Sequence, residues 1–397
     1  MRLILFCCLF LYSLSTIAQP VNAKAEWRVA TASPIVGDAC IDAGNIYFGN
    51  EAGKVFCQAL KNGKLIWEKQ LPGAVRSKPA VVNGSLIINC NNGVLYELNK
   101  STGEIIWEFS TKGEKQYDFW DYYRSSPVHV NGLIYFGSGD YHVYAIDAVT
   151  GKERWKFATG GIVHADPAIQ NDMLYIGSYD GKFYALNATT GQQLWQFKTI
   201  GDRNFPRGEV QKAALVTNEA VIFGSRDYNI YALNKSNGIG LWNMKEIGSW
   251  ITATPLLHKN NLFFGTSDTH AFYSSSAEDG TVKWKTPIPF RSYNTPLVAD
   301  SLILAGCFNG MLYAFDVTTG KIHWQFQTDG SKKNYSTVYD ANGHFRKDFV
   351  MYGDNKVTGA AEKKIFDLGA VLATPVQHNG MLYFGATDGT FYAVKQP

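Results

Sequence analysis

A chain of 397 residues exceeds the roughly 250–300 at which a single hydrophobic core stops growing, so it must divide into domains or repeat a small unit. With a formal net charge of +3 and 18% charged residues, it lacks the basic face or stripe that nucleic-acid binding requires, and no nucleic-acid partner is expected.

The chain opens as an export signal: Arg2, an apolar run from Leu3 to Leu14, then small residues before a cut after Ala18 or Ala23. That run is short for a membrane span, so residues 1–23 are expected to be a signal peptide and residues 24–397 a soluble, periplasmic or secreted product. Cys7 and Cys8 lie inside the run and follow no Leu-x-small triplet, so no lipid-anchor cysteine is expected. Cys40, Cys57, Cys90 and Cys307 remain in a compartment where disulfides persist. Cys90 and Cys307 occupy the repeat position of Ser138 and Ser178, which predicts small-residue packing; a Cys57–Cys90 bridge is the alternative.

The dominant pattern is Gly-x-x-x-Trp, at Gly63/Trp67, Gly103/Trp107, Gly151/Trp155, Gly191/Trp195, Gly238/Trp242, Gly280/Trp284 and Gly320/Trp324. The spacing is near the roughly 40–45 residues of a four-stranded propeller blade. In the third repeat, Pro127–Val130, an Asn131-Gly132 turn and Leu133–Gly137 read as a hairpin; Val143–Ile146 and Arg154–Phe157 read as the third and fourth strands. A strand-opening proline recurs as Pro34, Pro79, Pro127, Pro167, Pro255, Pro296 and Pro375, with Ala214 replacing it once. A second-strand glycine recurs from Gly49 to Gly385, with Asn89 as the exception, where neighbouring sheets should approach too closely for a side chain.

The eighth repeat ends at Pro397 without a Trp-strand, while Glu26-Trp27-Arg28-Val29 has that strand's pattern and no blade of its own. The prediction is an all-β, eight-bladed propeller of four-stranded antiparallel blades, closed by the N-terminal strand completing the last blade. Trp27, Trp67, Trp107, Trp155, Trp195, Trp242, Trp284 and Trp324 are then expected to dock blade against blade.

Three connections exceed the minimum, at 110–124, 198–212 and 327–372, and long connections are commonly functional. The last is expected to form its own hairpin; its Asp340, Asn342 and Asp354 read as turn chemistry rather than calcium ligands, and no metal site is predicted. The first carries Tyr117, Phe119, Trp120, Tyr122 and Tyr123, either a partner-binding surface or a plug over the channel mouth, and Trp250 shares that ambiguity.

No short motif for hydrolysis, metal binding or phosphate cradling occurs. Three residues before each strand-opening position, however, the chain reads Arg76, Arg124, His164, Gln211, Thr252, Tyr293 and Leu372. With Lys212, the cations of this channel rim could hold a carboxylate or phosphate, the alternative being a rim neutralised by Asp166 and other carboxylates.

Stretches such as Leu-Tyr-Ile-Gly-Ser-x-Asp-Gly-x-Phe-Tyr-Ala-Leu-Asn-x-x-Thr-Gly-x-x-x-Trp (residues 174–195) resemble the pyrroloquinoline-quinone-like propeller repeat over essentially all of the mature chain. The resemblance implies one of two branches: quinoprotein dehydrogenases, or the non-enzymatic propeller of the outer-membrane β-barrel assembly machinery, which is nearer in size. Against the first, the mature chain has no adjacent cysteine pair and no Cys-x-x-Cys-His haem site; from the second it departs in having no lipid-acceptor cysteine. The expected function is a non-catalytic, monomeric binding scaffold of the cell envelope that needs no cofactor and offers its channel mouth and loops to a protein or envelope component. The alternative is a small quinone-dependent dehydrogenase or quinone-binding sensor, holding pyrroloquinoline quinone with calcium through Arg76, Arg124, His164 or Lys212.

Overall fold

Two-residue turns with both residues left-handed match the twist of a β-hairpin, and Asn131-Gly132 adopts that conformation, with φ of +51° and +77°. Such turns organise a computed structural model describing residues 20–397 as eight four-stranded antiparallel sheets arranged as a propeller. Residues 1–19, with Cys7, Cys8 and most of the expected signal peptide, lie outside the described residues. Blade 1 runs from Cys40 to Gln70, blade 2 from Ala80 to Ser110, blade 3 from Val128 to Ala158 and blade 4 from Ala168 to Lys198. Blade 5 spans Leu215–Lys245, blade 6 Leu256–Pro287, blade 7 Leu297–Gln327, and blade 8 Val376–Lys395 with Ala25–Ala30 as its fourth strand.

Burial follows radius. The second and third strands, such as Leu133–Gly137 and Lys182–Asn187, are buried almost throughout, as their continuous apolar sequence requires. The first strands are half-buried because they line the channel, and the fourth strands alternate between exposed and covered positions. A side chain on the second-strand glycine would collide with the next blade: a Cβ on Gly49 would lie 2.2 Å from Val75, and one on Gly177 2.2 Å from Val210. Blade 1 corrects one landmark, since its first strand begins at Cys40. Ala39 therefore holds the strand-opening place, and Pro34 lies within the connection between Ala30 and Cys40.

The tryptophans pack between blades. Trp155 lies against Gly191, whose Cβ would come within 2.7 Å of the ring, and its indole N–H donates to the Ala188 carbonyl at 2.8 Å. The same pair of contacts joins Trp67 to Gly103 and Lys100, Trp195 to Gly238 and Lys235, Trp242 to Gly280 and Ala277, and Trp284 to Gly320 and Val317. Trp27 and Trp107 lie on Gly63 and Gly151 in the same way.

Closure is antiparallel pairing of Ala25–Ala30 with Thr390–Lys395, Trp27 opposite Ala393. A second contact was not foreseen: Val21–Asn22 adds a parallel fifth strand to blade 7, with Val21 opposite Trp324. Blade 8 joins its third and fourth strands from opposite ends of the chain and so has no glycine turn for Trp324 to lie on. The N-terminal segment covers that ring instead, with Ala23 and Ala25 packed against its cluster and Trp324 only 1% exposed.

The antiparallel order puts every blade-to-blade connection on one face with the turns between second and third strands. All three long connections therefore emerge together. The longest contains two helices, α1 at Asp329–Asn334 and α2 at Asn355–Asp367; its expected hairpin is reduced to one bridge between Tyr339 and Phe345. Among the described residues no helix is long and apolar enough to cross a membrane.

Candidate functional site

The rim register forms a ring once Val36 is added as the blade 1 member, but its cations are answered from within the protein. Arg76 forms a bidentate pair with Glu51, both contacts at 2.7 Å, and donates to the Asp121 carbonyl. His164 is held between Asp121 at 2.9 Å and Glu114 at 3.0 Å, and the Arg124 guanidinium lies 3.6 Å from each of these carboxylates. Burial alone would lower the His164 pKa; Asp121 and Glu114 outweigh it and raise it. Burial would likewise raise Asp121, yet His164 and Arg124 hold it well below the usual carboxylate range. Gln211 bridges the Trp120 carbonyl and Arg226, while Lys212 lies over the Tyr123 ring at 3.6 Å. Tyr293 and Leu372 are buried in the cluster beneath the loops. Asp166 accepts the Ser126 amide rather than neutralising these arginines.

The aromatic loop folds over the channel mouth. Trp120, Tyr122 and Tyr123 are 7%, 1% and 4% exposed and join Phe290, Phe308 and Ile365 in one core, with Trp250 buried in the same cluster. Trp120, Tyr122 and Trp250 therefore form a plug and present no open aromatic surface; among the loop candidates, Tyr117 is exposed and Phe119 partly so. Asp340 accepts backbone N–H groups of its own turn and Asp354 caps α2 at Val357. The four cysteines are free thiols, with Cys40 and Cys307 pushed up to about 12 by burial.

Two arginines outside the rim register organise the mouth. Arg226, two residues after the second-strand glycine of blade 5, pairs with Asp118 and lies 4.3 Å over Trp250. Arg291, five residues before Pro296, pairs with Asp268 and lies 4.3 Å over Trp120. Residues 118–120 thus strap one loop onto blades 5 and 6. A signal for Arg291 was present: extended chain alternates sides, so the fifth residue before each strand accompanies the third, and that register also holds Tyr122, Glu209 and Trp250.

Above this pair opens a cleft of about 550 Å³ to which all three long connections contribute: Asp118, Phe119 and Trp120 from the first, Phe205 from the second, Tyr352, Gly353, Asn355 and Thr358 from the third. Tyr228, Gly248, Trp250 and Asp268 complete it. On the same face, Ile200 and Ile247 are 70% and 80% exposed, each just beyond a fourth strand. A quinone bearing several carboxylates fits none of this: the rim donors are paired with Glu51, Glu114 and Asp121, aromatic side chains fill the mouth, and the open cleft carries carboxylates.

Repeat, closure and loop-built mouth define an eight-bladed propeller of the pyrroloquinoline-quinone-like repeat class. The chain belongs to the family described as outer membrane protein assembly factor BamB, whose model matches residues 20–119, 118–266 and 226–394. The assembly factor BamB of Nitrosomonas eutropha is 31% identical over 94 residues, 23% of this chain and 22% of that protein. The matches span only about a fifth of the length of the curated relatives. In fold, the chain is similar to BamB from Moraxella catarrhalis, with a TM-score of 0.58 at 19% identity, covering 72% of this chain and 84% of that one. It is also similar to quinohemoprotein alcohol dehydrogenase from Comamonas testosteroni, with a TM-score of 0.69 at 12% identity over 95% of this chain and 77% of that one. Both structural likenesses concern the fold alone.

Proposed function

We propose that this chain is an exported, non-catalytic scaffold of the cell envelope that acts in outer-membrane protein assembly by docking a protein on its loop face. The observation that carries the reading is the convergence of all three long connections on one aromatic cleft, on the face that also exposes Ile200 and Ile247. A concave site with aromatic walls and a polar rim has the make-up of a protein contact surface. Family membership supports the assembly role, and the paired rim cations speak against the quinone-dependent alternative.

The test is capture of partners from envelope extract by the wild-type chain and by Ile200→Asp/Ile247→Asp. Loss of a specific partner at unchanged melting temperature is expected. Equal capture by both proteins would refute the loop-face assignment. Reduction of an artificial acceptor after reconstitution with pyrroloquinoline quinone and calcium would overturn the non-catalytic reading.

A further inference from the structure

The charge of the cleft identifies the group it recognises. Its lining contains two carboxylates, Asp118 and Asp268, and no basic side chain. The two arginines paired with them sit behind the wall, each 1% exposed, whereas the carboxylate side chains are 32% and 34% exposed. Asp268 is further fixed by the hydroxyls of Ser267 and Tyr352. Burial would raise its pKa, but Arg291 and these hydroxyls hold it below the ordinary value, so it is ionised at neutral pH. An ionised carboxylate has about four acceptor positions; Asp118 already accepts twice from Arg226 and once from the Trp120 amide, and Asp268 from Arg291, Tyr352 and Ser267, which leaves each one position for a further donor.

The same cleft is lined by Phe119, Phe205 and Tyr352, each at least partly exposed. Aromatic faces attract cations, and a planar guanidinium is weakly hydrated and forked to match a carboxylate. An anion would meet two negative groups. A sugar would need an open indole platform, and Trp120 and Trp250 are only 7% and 8% exposed. Resting on the docking role proposed above, we infer that the cleft receives an arginine side chain from the partner protein, its guanidinium held by Asp118 and Asp268 among the aromatic rings.

The probe is a fluorescein-labelled Gly-Arg-Leu-Gly tetrapeptide, compared by fluorescence anisotropy with Gly-Glu-Leu-Gly, Gly-Leu-Leu-Gly and labelled chitohexaose. The arginine peptide is expected to bind at least tenfold more tightly than the others and to weaken with added salt. Asp268→Asn should lower its affinity about tenfold. Tyr352→Ala, which removes a 53% exposed ring, should lower it severalfold with the fold intact, so the inference remains testable if Asp268→Asn does not fold. Ile239→Asp, in a hairpin turn of the opposite face and 64% exposed, should leave peptide binding unchanged. Equal binding of the three peptides, or preference for the oligosaccharide, overturns the inference. If the arginine peptide fails while Ile200→Asp/Ile247→Asp still abolishes partner capture, the docking reading stands and the arginine pocket falls; if capture is also unaffected, both fall.

Discussion

His164 shows how the mouth is fastened. Its imidazole joins Asp121 and Glu114, both from the first long loop, to the entry of blade 4, and all three side chains are at most 4% exposed. Removing one partner of a buried ion pair leaves an uncompensated charge, a loss of about 3–5 kcal/mol. His164→Gln is therefore expected to destabilise the protein by that order in urea unfolding near pH 6. The pH dependence follows from the two shifts. His164 is raised above its ordinary 6.5, so its contribution is complete below that value and fades as pH rises through its folded pKa. Asp121 is lowered from 3.8, so its contribution is complete above that value and fades only in strong acid. The gap between wild type and His164→Gln should thus be widest between about pH 4 and 6.5 and narrow in alkaline solution; a gap independent of pH would contradict this. Arg76, Arg124 and His164 were legible as a ring because they share a repeat position. Their partners were not: Glu51 arrives from a turn 25 residues from Arg76, and Glu114 and Asp121, though close to Arg124 in sequence, lie 50 and 43 residues from His164.

Blades adhere through glycine turns that accept a neighbour's indole. Gly103 adopts φ +74°, and its Cβ would meet the Trp67 ring at 2.7 Å. Gly103→Ala should cost about 1–3 kcal/mol through strain and overpacking, and Trp67→Ala about 3–5 kcal/mol through loss of a large buried ring; both can be read from urea midpoints. The N-terminal strand is the matching case in chain closure. Deletion of residues 24–32 removes the fourth strand of blade 8 and bares the apolar Thr390–Lys395 strand, so cooperative thermal unfolding should be lost, and an unchanged melting temperature would refute closure. Closure could be read from Trp27 because the repeat lacked one Trp-strand and the N-terminus supplied one. The parallel Val21–Asn22 contact could not, since two residues carry no periodicity and their role is set by the missing turn at Trp324.

Across the whole molecule, period encodes the ring and departures from period encode the site. The blades repeat one glycine, turn and tryptophan, with Asn89 in blade 2 and the missing turn of blade 8 as exceptions, so the fold was legible in the spacing. The cleft joins Asp118, Phe205, Tyr352, Arg226 and Arg291, which lie in three insertions, one turn and one inter-blade entry. Only the folded ring brings them together. The result is a molecule with unlike faces: long connections and an aromatic cleft carrying two carboxylates on one, short hairpin turns on the other. A photo-reactive residue placed at Ile247 on the loop face, or at Ile239 in a hairpin turn of the opposite face, compares two strongly exposed positions, 80% and 64%. Irradiation in intact envelopes should yield a discrete cross-linked partner from position 247 and none from 239; cross-linking from 239 alone would contradict the loop face as the docking surface.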